Sequence, residues 1–103
     1  MQATSSSIKE RIIAEINAHM RNCGGANSAW YVGVASSAEE RLFNDHSVDR
    51  TRDSWIYRRA ASSSMARDIE QAYLDAGCDG GPGGGDAGTI FVYAYRKTRT
   101  TNP

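Results

Sequence analysis

The feature that most constrains this chain is the alternation from Thr89 to Lys97, where Ile90, Val92 and Ala94 fall on one side and Phe91, Tyr93 and Tyr95 on the other. Successive side chains of an extended backbone point to opposite faces, so a period of two predicts a β-strand, here the clearest in the sequence. Its aromatic face has to be covered, either by a helix or by another copy of the chain. Two further stretches alternate in the same way. From Ala29 to Ala35, Trp30, Val32 and Val34 oppose Tyr31, Gly33 and Ala35, and from Trp55 to Ala60, Trp55, Tyr57 and Arg59 oppose Ile56, Arg58 and Ala60.

Helical spacing fills the intervals. Ile8, Ile12, Ile13, Ile16 and Met20 form one apolar stripe, which predicts a helix over about 8–22. A capping box of Ser7 and Glu10 would open it, and Asn22-Cys23-Gly24-Gly25 would stop it. Ser37 and Glu40 make a second box, so another helix starts near Ala38, carries Arg41 and Leu42 one turn in, and ends near His46 among Asn44, Asp45 and Ser47. Ser62, Ser63 and Ser64 offer caps for a third helix from about Met65 to Ala76, with Met65, Ile69 and Tyr73 on its stripe and Gly77 as its stop. The glycine-rich stretch 77–88 reads as a flexible loop. The order helix, strand, helix, strand, helix, strand predicts an α+β fold: a small three-stranded, mainly antiparallel sheet covered by three helices in two layers. With 103 residues and no internal repeat, the chain is expected to form one domain.

Twelve basic and twelve acidic residues cancel. That balance argues against a protein that grips nucleic acid through many phosphates. Charge is nevertheless uneven: Arg50, Arg52, Arg58, Arg59 and Arg67 lie close in sequence, as do Arg96, Lys97 and Arg99. These form either a local basic patch or an ordinary solvated face. No apolar run is long enough to span a bilayer and the first residues are polar, so a cytoplasmic protein without membrane attachment is expected. Cys23 and Cys78 are then expected to be free thiols.

Two short motifs carry chemistry. Trp30-Tyr31-Val32-Gly33-Val34 leads through the Ser36-Ser37 turn into the helix bearing Arg41, which lies ten residues after Tyr31; Ala66-Arg67-Asp68-Ile69-Glu70 places a carboxylate on the third helix. Over about residues 29–76 these resemble the GIY-YIG nucleases, in which a Y-[IV]-G strand runs into a loop, an arginine follows at that spacing, and a later helix supplies a metal-holding glutamate. The core of the resemblance spans about 29–97. It implies a metal-dependent endonuclease acting on DNA or RNA with Mg²⁺ or Mn²⁺, in which Glu70 holds the metal, Arg41 binds the scissile phosphate and Tyr31 orients or deprotonates the water. Many family members carry a histidine four residues after the arginine; here His46 comes five after, which on a continuing α-helix turns it by about 100 degrees. The family's first strand, G-I-Y, has no counterpart before Ala29, where Cys23-Gly24-Gly25-Ala26-Asn27-Ser28 is loop-like. The last strand would replace it if it pairs antiparallel with the Tyr31 strand and brings Tyr93 or Tyr95 beside that residue.

Each site residue has an ordinary reading too. Glu70 sits on a partly apolar stripe with Ala66 and Tyr73, so its carboxylate wants a cation, which is either a metal or one of Arg41, Arg58 and Arg67. Tyr31 reads equally as a packing residue, and Arg41 can pair with Asp45 one turn on. The run Gly80-Gly81-Pro82-Gly83-Gly84-Gly85 lacks the lysine and hydroxyl of a phosphate-binding loop and reads as a linker. His19, Cys23, His46 and Cys78 include metal-ligand types, but nothing in their spacing brings the four together. Two functions stay open: a nuclease, or a catalytically inactive binding or assembly module on the same scaffold.

Overall fold

Three extended segments pair into one antiparallel sheet whose central member is the last in sequence. The computed structural model describes residues 5–81 and 88–102. The elements are α1 (Ser5–Cys23), β1 (Trp30–Ala35), a π-helical segment (Glu40–Asp45), β2 (Trp55–Arg59), α2 (Ser63–Asp75) and β3 (Phe91–Arg96). The strand order is β1-β3-β2. β3 aligns Tyr95 with Tyr31 and Tyr93 with Gly33 on one side, and Tyr93 with Tyr57 on the other. This is the α+β architecture that the periodicities predict, with the C-terminal strand antiparallel to the Tyr31 strand.

The alternation divides the core into two clusters. Trp30, Val32 and Val34 of β1, Ile56 of β2 and Val92 and Ala94 of β3 meet α1 through Ile12, Ile16 and Met20, and α2 through Met65, Ala66 and Ile69. On the opposite face Tyr31, Ala35, Tyr93 and Tyr95 pack with Ala38, Leu42 and Val48. The helices are thus shared out: α1 and α2 cover one face, and the shorter helical segment closes the other. The aromatic face of β3 is covered within the chain, since Tyr93 and Tyr95 are buried. Tyr73 joins the two long helices by donating its hydroxyl hydrogen to Asn17 Oδ1 at 2.8 Å.

The ends follow local chemistry with two corrections. Ser62 caps α2, its side chain accepting from the Met65 N–H at 3.1 Å. Gly24 and Gly77 adopt the left-handed φ values of 84° and 105° that stop α1 and α2. Ser7 does not cap α1, because the helix is already formed at Ser5; serine is a tolerable helix residue, so nothing in the serine run forces a start at Ile8. The stretch after α2 is also more ordered than a free loop at its beginning. Asp79 bonds the outer edge of β1 as a parallel bridge, donating to Trp30 O at 2.8 Å and accepting from Val32 N at 2.9 Å. Residues 82–87, the remainder of the expected glycine-rich loop, lie outside the described residues. Cys23 and Cys78 are unbonded, and among the described residues no helix is long and apolar enough to cross a membrane.

Ile69 is fully buried where α2 meets the sheet. Ile69→Ala is expected to lower stability by about 2–5 kcal/mol, through lost transfer energy and the cavity left behind. Urea unfolding measures this; a loss under about 1 kcal/mol would mean that α2 does not pack as described.

Candidate functional site

The strand pairing places a tyrosine where a side chain could not otherwise fit. Gly33 lies opposite Tyr93, and a Cβ built on Gly33 would stand 2.5 Å from the Tyr93 hydroxyl and 2.6 Å from the ring carbon that bears it. The tyrosine therefore crosses β1 over a bare backbone, which is the approach that a glycine beside Tyr31 leaves open. Tyr31, Gly33, Val34, Arg41, Glu70, Gly81 and Tyr93 line a cleft of about 140 Å³ at the β1 edge. The three residues singled out from the sequence motifs thus share one small space. Tyr31 and Tyr93 come from the sheet face, Arg41 from the π-helical segment, and Glu70 from α2 on the other side of β1.

The π-helical segment explains how His46 reaches this site. Ser37 Oγ accepts from Glu40 N at 3.3 Å, and Arg41 N donates to Ser37 O at 3.3 Å, so the helix starts as the capping signal predicts. The backbone then widens: His46 N donates to Arg41 O at 2.9 Å, a bond spanning five residues instead of four. The wider turn brings the residue five along back toward the arginine's side, where an α-helix would rotate it away.

His46 is buried, and its protonation is set by its partners. Its Nδ1 lies 2.8 Å from the carbonyl oxygen of Asn102, which can only accept, so Nδ1 carries the hydrogen; the Tyr95 hydroxyl is 3.0 Å from the same nitrogen. In the neutral ring Nε2 is then the acceptor, and the Tyr93 hydroxyl donates to it at 2.8 Å. Burial, assisted by the Arg41 charge, holds the His46 pKa below its ordinary value of 6.5 despite the Asn102 contact. Burial pushes the Tyr93 phenol up to about 12, against the pull of the adjacent Arg41 guanidinium. Tyr31 is also raised, chiefly by burial, with Arg41 and a hydrogen bond from the Gly81 backbone opposing. Its ring stacks on Tyr95 at 5.3 Å and tilts against His46 at 4.6 Å between centroids.

Arg41 and Glu70 differ in how far the protein already satisfies them. Arg41 Nε lies 3.5 Å from Asp45 Oδ2, a half-exposed pair one turn apart, as the spacing allows. Glu70 is 8 % exposed, and burial raises its pKa with Arg67 opposing. No hydrogen bond or ion pair to its carboxylate is found among the described residues, and the Arg41 and Arg58 guanidiniums are paired elsewhere, with Asp45 and Glu15. Glu70 is the only carboxylate among the described residues lining the cleft, and no group of three His, Cys, Asp or Glu is assembled among them. One carboxylate beside open space fits an ion such as Mg²⁺, which keeps several waters and takes its remaining oxygens from a phosphate. It does not fit a zinc cage. His19 and Cys23 do approach to 3.6 Å, but His46 belongs to the cleft network instead.

The arginine-rich stretch does not form one basic surface. Arg50 pairs with Glu39 at 3.2 Å, Arg52 with Asp49 at 3.1 Å, and Arg58 with Glu15 at 2.8 Å on the α1 side of the sheet. The participation of Tyr93 rests on strand pairing, which its alternation does not reveal. Comparison with known proteins adds no relative: no family model matches the chain, and no curated protein or solved structure is significantly similar to it.

Gly33→Ala is expected to cost about 1–3 kcal/mol, because the Tyr93 ring must leave its place; an unchanged melting curve would mean that the ring does not cross there. Protonation of His46 provides a second check. Its folded pKa lies below the unfolded one, so the unfolded chain binds the proton first and stability falls as pH drops below about 6.5. Since His19 is lowered as well, the difference between wild type and His46→Gln isolates His46. Wild-type stability should fall more steeply with acid than the variant's, and parallel curves would remove the assigned cause.

Proposed function

We propose that this chain is a divalent-metal-dependent phosphodiesterase acting on nucleic acid, of GIY-YIG type, in which β3 stands in the place of the family's first strand. The observation that carries this reading is the convergence of Tyr31, Arg41, Glu70 and Tyr93 in one cleft, with Tyr93 bonded to a histidine held neutral. The antiparallel β1–β3 pairing supports the strand substitution, since it brings both Tyr93 and Tyr95 beside Tyr31.

In this reading the planar fork of Arg41 binds two non-bridging oxygens of the scissile phosphate, drawing away from Asp45. Glu70 is the residue that would hold Mg²⁺ or Mn²⁺, and a phosphate completing the ion's oxygens explains why one protein carboxylate is enough. When bound, such an ion supplies charge stabilisation to the phosphate oxygens. Tyr31, with its hydroxyl tethered to the Gly81 backbone, orients the attacking water. A phenol with a pKa of about 12 stays protonated and is not a base by itself, so Tyr93 works as a relay. As the water oxygen bonds to phosphorus, its proton passes to Tyr93 Oη while the Tyr93 proton passes to His46 Nε2. The bond from phosphorus to the leaving oxygen breaks with its electron pair, and that oxygen takes a proton from solvent.

A second reading, an inactive binding or assembly module on the same scaffold, draws support from the hold of Asp45 on Arg41. Incubation of labelled single- and double-stranded DNA and RNA with magnesium or manganese separates the two. Wild type is expected to cut, with Glu70→Ala and Tyr93→Phe each reducing the rate by about 10²-fold or more. Well-folded wild type that cuts none of these substrates would establish the module instead.

A further inference from the structure

Beside the cleft, on the same face of the sheet, lies a row of aromatic side chains that the chemistry above leaves unused. Trp55 and Tyr57 are alternate residues of β2, with rings 12° from parallel and centroids 6.1 Å apart. Phe91 of β3 meets Tyr57 edge-on at 6.0 Å, and Phe43 meets Trp55 at 5.0 Å. All four remain partly exposed at the margin of the second core cluster. A depression of about 210 Å³ runs along Tyr57 and Phe91 to Ser36 and Ser37. Ser36 and Ser37 also wall a second depression of about 310 Å³, which in turn shares Val34 and Arg41 with the cleft. The three depressions thus follow one another through shared walls, from Tyr93 past the start of the π-helical segment to Tyr57, and make up a track.

Charge restricts what can lie on it. Arg59 follows Trp55 and Tyr57 on the same strand face, is exposed, and has no ion pair among the described residues. Arg50 covers the Phe43 ring at 3.8 Å while paired with Glu39, and Arg52, 81 % exposed, pairs with Asp49. Glu39, Glu40 and Asp45 line the track itself. A stiff polyanion gains little from a lining in which Arg41 is outnumbered by carboxylates. A flexible strand with unpaired bases gains ring faces to stack on, and its few phosphates near Arg59 find one cation free.

We propose that the track holds a single-stranded nucleic acid, its bases stacked on Tyr57 and Phe91 and its backbone led past Ser36 and Ser37 into the cleft. The inference rests on the phosphodiesterase reading and narrows its substrate to unpaired strands. Stacking does not depend on base identity, so recognition is tolerant of sequence. With about one phosphate neutralised, binding depends weakly on salt, with a slope near −0.7 against log salt.

Binding is tested apart from cleavage. Fluorescence anisotropy of labelled single-stranded DNA, single-stranded RNA and a hairpin duplex is read in EDTA, with sedimentation of the free protein alongside. Single strands are expected to bind more tightly than the duplex. Tyr57→Leu, which keeps apolar bulk without a ring, is expected to weaken them by about 5- to 150-fold, Tyr57→Phe is expected to restore them, and Arg59→Ala is expected to flatten the salt slope. Equal or tighter duplex binding, or no effect of Tyr57→Leu in a variant with an unchanged melt, would overturn the proposal. So would a dimer that Tyr57→Leu dissolves, since the face would then serve self-association. Ring-dependent binding by a protein that cuts nothing leaves the track in place and sinks only the hydrolytic reading; cleavage indifferent to Tyr57 does the reverse.

Discussion

The pairing of Gly33 with Tyr93 is the contact on which the rest of the structure turns. A side chain at position 33 would occupy the place of the Tyr93 hydroxyl, and without that hydroxyl His46 Nε2 loses its buried donor. The pairing fixes the register of β1 against β3, and a slip of one residue would exchange the two core clusters between faces. Packing and site are therefore specified by the same constraint: the register that buries Val32 and Val92 under α2 also places Tyr93 beside Arg41.

From that register follows the use of the π-helical segment. Arg41 has to face the cleft while Leu42 is buried and His46 turns inward beneath the sheet. An α-helix cannot send residues five apart to the same side, since its repeat is 3.6 residues. The wider turn does so with one bond, His46 N to Arg41 O, and Ser47 then takes a left-handed φ of 56° as Val48 enters the core. For serine that conformation is uncommon, and a buried valine on the next residue offsets its cost.

How much of this could be read in the sequence depends on the range of the interaction. The strands Trp30–Ala35, Trp55–Arg59 and Phe91–Arg96 are visible because alternation is local, and Ser62 and Gly77 mark α2 because caps act within one turn. The convergence of Tyr31, Arg41 and Glu70 was approachable through short motifs. Three features were not, each for a physical reason. The central place of β3 depends on pairing between residues some 60 apart in sequence, about which periodicity is silent. The role of His46 depends on a change of helical pitch that its flanking Asn44 and Asp45 signal only as an end. Asp79 joins the β1 edge through backbone atoms, and backbone atoms leave no mark on side-chain pattern.

The site is also where the chain departs from its own rules. Elsewhere, Arg50, Arg52 and Arg58 are matched to carboxylates, and the core clusters are apolar apart from a few hydroxyls that reach partners. In the cleft a nearly buried carboxylate, Glu70, makes no hydrogen bond or ion pair among the described residues while the Arg67 charge opposes the effect of its burial, and the imidazole bonded to Tyr93 is held neutral beside a guanidinium. Each arrangement costs stability, the first by desolvating an acid and the second by disfavouring a proton that water would otherwise share. A fold that needed these residues only for packing would gain by replacing Glu70 with an apolar side chain of similar volume.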